Sequence, residues 1–252
     1  SYRHLTIWDK GEVVELTPPH DVLGQVIGQY LPKTEALREM MKKSYDILSN
    51  HPINVERMKK GLNPANSIWF WGAGTRPALA PFVEKTGHTG AMISAVDLLK
   101  GIAVGADMKV VEVEGANGGL DTNYEGKADA AVEALLKDDL DFAYIHLEAP
   151  DEMGHQGSFE RKVQAIENLD KRIIKRVTEQ LEAAGTDFRM LVLPDHPTPV
   201  AIRTHVSDPV PYMLYDSTNK QSHTWNYNEK EAQESGNYID KGYTIINHLF
   251  EK

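Results

Sequence analysis

The stretches FAYIHLEAPDEMGHQG, residues 142–157, and FRMLVLPDHPTPVAIRTH, residues 188–205, decide how this chain is read. Each opens on a short apolar run rich in β-branched and aromatic residues, as buried strands do. Each run then ends in side chains with lone pairs to offer. In open parallel sheets, ligand sites lie at the carboxyl ends of strands, so both segments bring donors to the same edge. Those donors are Asp151 with His155, then Asp195 with His196, then His205. Asp151 and His155 are four apart, so on a helical turn both project from one face toward a single ion. Asp195 and His196 are adjacent and would diverge in a strand, but the following Pro-Thr-Pro makes a loop in which both turn inward.

Carboxylate and imidazole without thiolate suit manganese, zinc or magnesium, the histidines favouring the first two. Two such ions side by side would hold a phosphoryl group and screen its charge during transfer. Taken singly, every one of these residues has a structural reading: an Asp at a strand's end caps helices, and a lone His hydrogen-bonds within a core. It is the set of five at one sheet edge that reads as a metal site, and the set alone does not identify a reaction.

Working outward, strand patterns fall at Arg3–Trp8, Ser67–Trp71, Ala91–Ser94, Lys109–Val113, Phe142–Leu147, Arg189–Leu193 and Pro211–Tyr215. Helical periodicity covers Lys33–Leu48, Ala95–Val104, Gly126–Leu136, Phe159–Ala184 and Asp240–Phe250, the longest with Ser158 as N-cap and Gly185 as stop. Strands alternating with helices from about residue 88 predict a mostly parallel sheet covered on both faces. The Gly and Pro cluster at Gly72–Pro77 separates a smaller domain, residues 1–77, from the sheet domain, residues 78–252. A chain opening within a strand pattern is expected to be preceded by residues of the same fold. A sheet lacking such strands has a free edge, which association into a homo-oligomer would cover.

With 252 residues, 41% of them apolar, a substantial core is available. The absence of cysteine removes disulfides and thiolate chemistry. A net charge of −10 argues against nucleic acid as a partner, while leaving room for an anionic small molecule in a locally cationic cleft. No run approaches the roughly 20 apolar residues that cross a bilayer, and SYRHLTIWDK is not built as a secretion signal. The chain is therefore read as soluble and cytoplasmic, without membrane partners.

The run APDEMGH, followed by PDHPTP and RTHVSDPVPY, resembles the metal-binding signature of the alkaline phosphatase superfamily. YRHLTIW, TPPHDVLGQ, NPANSIWFWGAG, ISAVDLLKGI and LDTNYEGKADAA narrow the resemblance to archaeal-type, cofactor-independent phosphoglycerate mutases, over nearly the whole chain. The resemblance implies an α/β fold: part of an alkaline-phosphatase-like three-layer α/β/α sheet with a smaller α/β lid. It implies two divalent ions, no 2,3-bisphosphoglycerate, and interconversion of 3- and 2-phosphoglycerate in glycolysis through a phosphoserine. Asp151, His155 and His205 would bind one ion, with Asp195 and His196 contributing to the second. Lys100 matches a lysine placed near the phosphoserine, and Arg3, His4 and Arg76 would bind the substrate's carboxylate and phosphate.

None of the ten serines lies in the family's Gly-Ser-Asp context, so the chain by itself is expected to have little mutase activity. Two other classes stay open: another phosphotransferase or phosphoesterase of the superfamily, and a metal-binding fragment without turnover. His20, Trp69 and Trp71 read as packing or turn residues of the smaller domain, although His20 could line the cleft. His51, His88, His146, His223 and His248 have no donor partner at useful spacing and read as structural, and the acidic Asn226–Glu234 as a solvated loop or helix face.

Overall fold

A computed structural model describes residues 4–22, 24–221 and 224–251. The chain divides into two compact units, Ser1–Pro77 and Ala78–Lys252.

The smaller unit holds helices α1 (Glu35–Leu48) and α2 (Pro52–Lys59). The expected strand at Ser67–Trp71 is not there; side chains hold Ile68 within it and Ala65 just before it. Ile68 N–H donates to Ser44 Oγ (3.0 Å), and buried Asn54 takes Ala65 N–H (2.9 Å) while giving its amide to the Ala65 carbonyl (2.9 Å). Nor do residues 4–8 of the expected strand Arg3–Trp8 pair; Leu5 and Ile7 are exposed there. No described residue of this unit is in a strand, which corrects the α/β expectation for it.

The larger unit builds helix α3 (Phe82–Thr86), strand β1 (Gly90–Ile93), helix α4 (Asp97–Gly105), strand β2 (Lys109–Val111), helix α5 (Tyr124–Leu136) and strand β3 (Phe142–Ile145). Then come α6 (Ala149–His155) and α7 (Phe159–Leu169), continued through a π-helical turn at Asp170–Ile174 into α8 (Lys175–Ala183). Strands β4 (Arg189–Val192) and β5 (Met213–Asp216) follow, with short α9 (Glu229–Glu234) and α10 (Asn247–Phe250). The long helix stops at Gly185, whose φ of +69° is the left-handed end that glycine tolerates. The helix expected over Asp240–Phe250 is reduced to a 3-10 turn and the four-residue α10.

β1, β2 and β3 form a parallel sheet in the order β2-β1-β3, with Ile93 beside both Val111 and Ile145. β4 and β5 form a separate antiparallel pair, so among the described residues the mostly parallel reading holds for three of the five strands. The register begins at Met213, and Pro211, which has no N–H to give a ladder, lies outside it.

One apolar seam lies under both sheets. Tyr124, Ala128 and Val132, at i, i+4 and i+8 of α5, meet Ile173, Val177 and Leu181, at the same spacing along the long helix. Ile145 and Leu147 pack on it from β3 and beyond, Phe188 and Met190 from β4. Two arginine–carboxylate pairs run beside the seam. Arg172 grips Glu125 (2.6 and 2.6 Å) and Arg176 grips Asp129 (2.7 and 2.9 Å). Both partners advance by four residues in the same direction, so the two helices run parallel. A smaller cluster of Ala149, Met153 and Ala165 pins α6 against α7.

Leu181 is 2% exposed within this seam, and Leu181→Ala leaves a cavity. It should lower unfolding free energy by roughly 2–5 kcal/mol, measured by denaturant titration. In the β4–β5 pair, Thr218 (Oγ1 to Oδ1, 2.6 Å) and then Arg189 (2.7 Å) hold the Asp216 carboxyl down at about 2. A depressed carboxylate stabilises the fold above its unfolded value and ceases to as pH falls through its folded one. Asp216→Asn should therefore lower the thermal midpoint at pH 7, by progressively less from about pH 4 toward pH 2.

Candidate metal centre

α6 is a helix of two faces. Ala149 and Met153 are buried against α7, while Asp151 and His155, offset by two residues or about 200° of helical turn, face the other way. The loop after β4 reaches that outward face at Gly154. A Cβ there would collide with the Thr198 carbonyl, so glycine is what permits the close approach.

Asp151 Oδ2 lies 3.4 Å from His155 Nε2, Asp151 Oδ1 lies 3.3 Å from His205 Nε2, and the two Nε2 atoms are 3.0 Å apart. His196 lies against His205 with ring centroids 3.7 Å apart and planes tilted by 33°, and Asp151, His196 and His205 offer three donor atoms within 4.8 Å of one another. Ligands bonded at roughly 2.0–2.2 Å to one ion lie about 2.9–3.5 Å from each other in tetrahedral or octahedral geometry. The Asp151–His155–His205 spacings fit those edges. Asp195 stands at the rim, its carboxylate 3.6 Å from His196 Nε2 and largely exposed.

The surrounding bonds set which nitrogens have lone pairs. His155 Nδ1 is 3.0 Å from the Arg203 carbonyl, which can only accept, so Nδ1 has the proton and Nε2 is free to act as a donor atom. Arg203 is held at φ +59°, a left-handed conformation unusual for a residue with a side chain, and this aims its carbonyl at His155. Thr198 Oγ1 donates a short hydrogen bond to Asp151 Oδ1 and lies 3.3 Å from His196 Nδ1, tying the two loops' donors together. Lys162 on α7 donates to the Thr198 carbonyl at 2.6 Å. Burial lowers its ammonium from the usual range, against the pull of Asp151 and then Glu229.

The five metal candidates of the sequence reading thus lie in one neighbourhood. Lys100 pairs with Glu112 through both carboxylate oxygens (2.7 and 2.9 Å) and makes no hydrogen bond or ion pair with the five. His4 and Arg76 are exposed in the other unit, and Arg3 lies outside the described residues. Thr198, Lys162 and Arg203 were missed, since a hydroxyl, a lysine or a carbonyl meeting a residue about 36 to 48 positions away leaves no periodic signal in a sequence. Of the set-aside histidines, His51 caps α2 (Ile53 N–H, 3.3 Å), His88 stacks on Phe250 (4.3 Å) and His248 bonds Glu251 (3.0 Å). His223 lies outside the described residues. A cavity of about 840 Å³ opens on the other side of α6, between Gly119, Asp121, Glu152, Gln156, Arg161 and Arg172, and none of the five donors lines it.

Residues 18–251 match the family model described as Metalloenzyme superfamily. The chain is 48% identical over 241 residues to a 2,3-bisphosphoglycerate-independent phosphoglycerate mutase of Methanosarcina barkeri, covering 94% of this chain and 60% of that one. It is 44% identical to a probable enzyme of the same name from Geobacter sulfurreducens, covering 100% and 63%. It thus spans about three-fifths of the length of these curated relatives. Among solved structures, a protein of Pyrococcus horikoshii matches with TM-score 0.68 at 33% identity, over 79% of this chain and 51% of that one. The cofactor-independent phosphoglycerate mutase of Thermoplasma acidophilum matches with TM-score 0.51 at 26% identity, over 86% and 51%. The chain belongs to the Metalloenzyme superfamily, and within it the relatives it resembles are 2,3-bisphosphoglycerate-independent phosphoglycerate mutases.

Proposed function

We propose that Asp151, His155, Asp195, His196 and His205 hold two divalent ions, manganese, zinc or magnesium. The whole protein would then interconvert 3- and 2-phosphoglycerate without 2,3-bisphosphoglycerate, in cytoplasmic glycolysis. The single observation behind this is the 3.0–3.4 Å meeting of Asp151, His155 and His205. Bound ions would neutralise phosphoryl charge and activate an attacking oxygen.

The chain's own residues have definable parts. Asp151 and the imidazoles present lone pairs, Thr198 orients two of them, and the Arg203 carbonyl fixes the His155 tautomer. In the mutase reading, a serine oxygen takes the phosphoryl group as the substrate P–O bond breaks, and the neighbouring glycerate hydroxyl later takes it back. The serine keeps no phosphate at the end. Such a route needs water excluded. We assign that closure to the smaller unit as a lid hinged near Gly72–Pro77, with Arg3, His4 and Arg76 gripping the substrate's anionic ends and Lys100 offering a charge to the phosphoryl group. Among the described residues no helix is long and apolar enough to cross a membrane.

Calorimetric titration with manganese or zinc should show binding that Asp151→Asn or His205→Ala abolishes. Thr198→Val, which removes only the orienting hydroxyl, should weaken it roughly 10–100-fold; unchanged affinity in all three variants overturns the site. In a coupled assay, this chain alone should not turn over 3-phosphoglycerate, whereas a longer protein containing it together with a Gly-Ser-Asp segment should. Equal turnover by both would refute the assignment of the nucleophile, and metal binding without turnover by either would leave a binding domain.

A further inference from the structure

His146 has a place that none of the other described histidines set aside as structural shares. It follows β3 directly, and its backbone is fixed at both ends. Its N–H donates to the Ile93 carbonyl (2.9 Å), and its carbonyl accepts from Lys127 Nζ (3.2 Å), a lysine only 1% exposed. The imidazole is therefore anchored on two strands and a helix before its own contacts are considered.

Its Nδ1 lies 3.3 Å from Ser94 Oγ, at the end of β1, and Ser94 is itself buried. Ser94 Oγ accepts the Val96 N–H at 3.0 Å, and among the described residues Nδ1 is the acceptor within reach of its hydroxyl proton. A serine hydroxyl donating to Nδ1 would put the ring proton on Nε2. Burial pushes the ring's pKa down, which keeps it uncharged, and the carboxylates that bear on it from beyond are Asp195 and Asp151, both members of the donor rim. Lys127 is the cation acting on it from behind.

The rim is rich in lone pairs: two carboxylates and the bare nitrogens of its imidazoles. An anionic oxygen brought there also needs N–H donors that are already aimed. Lys162 gives a hydrogen bond to the Thr198 carbonyl. We propose that His146 donates its Nε2–H to a phosphoryl oxygen held at this rim, with Ser94 fixing the tautomer that makes it a donor. This rests on reading the rim as a phosphoryl-binding metal site, and it adds a substrate-touching residue to that site.

The test uses the zinc-loaded chain with imidazole ¹⁵N labelling and inorganic phosphate as probe. Two-bond ¹H–¹⁵N correlation should show His146 as the Nε2–H tautomer, and its Nε2 signal should move as phosphate is added. His146→Phe should weaken phosphate binding about tenfold or more, the loss of one hydrogen bond to a charged group, at unchanged zinc stoichiometry. His146→Gln, which restores an N–H, should recover part of the affinity, and Ser94→Ala should mix the tautomers and weaken phosphate several-fold. The proposal is overturned by a proton found on Nδ1, by phosphate affinity unchanged in both His146 variants, or by zinc lost in step with phosphate, which would make His146 a metal ligand. No zinc uptake at all overturns both this and the metal reading. Phosphate binding that depends on His146, in a protein whose longer form does not isomerise phosphoglycerate, sinks the mutase reading alone.

Discussion

Two imidazole nitrogens held 3.0 Å apart beside a carboxylate repel one another unless something positive lies between them. His155 has its proton on Nδ1, committed to the Arg203 carbonyl, so its Nε2 can only accept. The gap is filled either by a proton on His205 Nε2 or by a cation, and the two compete. The scaffold that brings these donors together is the buried Ala149 and Met153 beneath α6, the left-handed Arg203, and the glycine that lets the Thr198 backbone touch the helix.

The separation of the two donor-bearing loops is set by helices and not by a ladder. β3 leads to Asp151 and β4 to Asp195, yet among the described residues no hydrogen-bonded pairing joins these strands. What aligns them is the common seam of α5 and α8, on which Ile145, Leu147, Phe188 and Met190 all rest. Burying each Val, Leu or Ile side chain there contributes roughly 1.5–3 kcal/mol, whereas the Arg172–Glu125 and Arg176–Asp129 pairs are open to solvent, which screens their attraction. The seam therefore carries the stability. The paired arginines fix the direction in which the two helices lie.

Much of this was legible because it is periodic or local. Asp151 and His155 share a face at a spacing of four, and Asp195 and His196 follow a strand into a proline-rich loop. The parallel strands announced themselves as apolar runs between helices. What was not legible was created by long-range partners. Ser67–Trp71 has the composition of a strand, but Ser44 takes its Ile68 N–H, and Asn54 holds Ala65 just before it. Pro211–Tyr215 reads as a strand, but the pairing begins only at Met213. His146 looks idle in sequence, because Ser94, its partner, is 52 residues away on a neighbouring strand. Lys100 shows the converse: a helix lysine singled out by resemblance, found in a salt bridge with Glu112.

Lys127 completes the reasoning from the core outward. A fully buried ammonium costs several kcal/mol in lost hydration, and burial lowers its pKa, with the Glu148 carboxylate acting in the opposite sense. Its protein partners are carbonyls of His146 (3.2 Å) and Asn117 (3.5 Å), at the end of β3 and in the loop before α5. Glu148, the charge that opposes its deprotonation, is the residue from which α6 starts. An apolar residue of the same length would remove the desolvation cost but would leave the His146 and Asn117 carbonyls without this donor. The lysine is thus the point through which the sheet's edge, the loop at Asn117 and the first turn of α6 are held in one register, with Asp151 and His155 displayed on the far side of that turn.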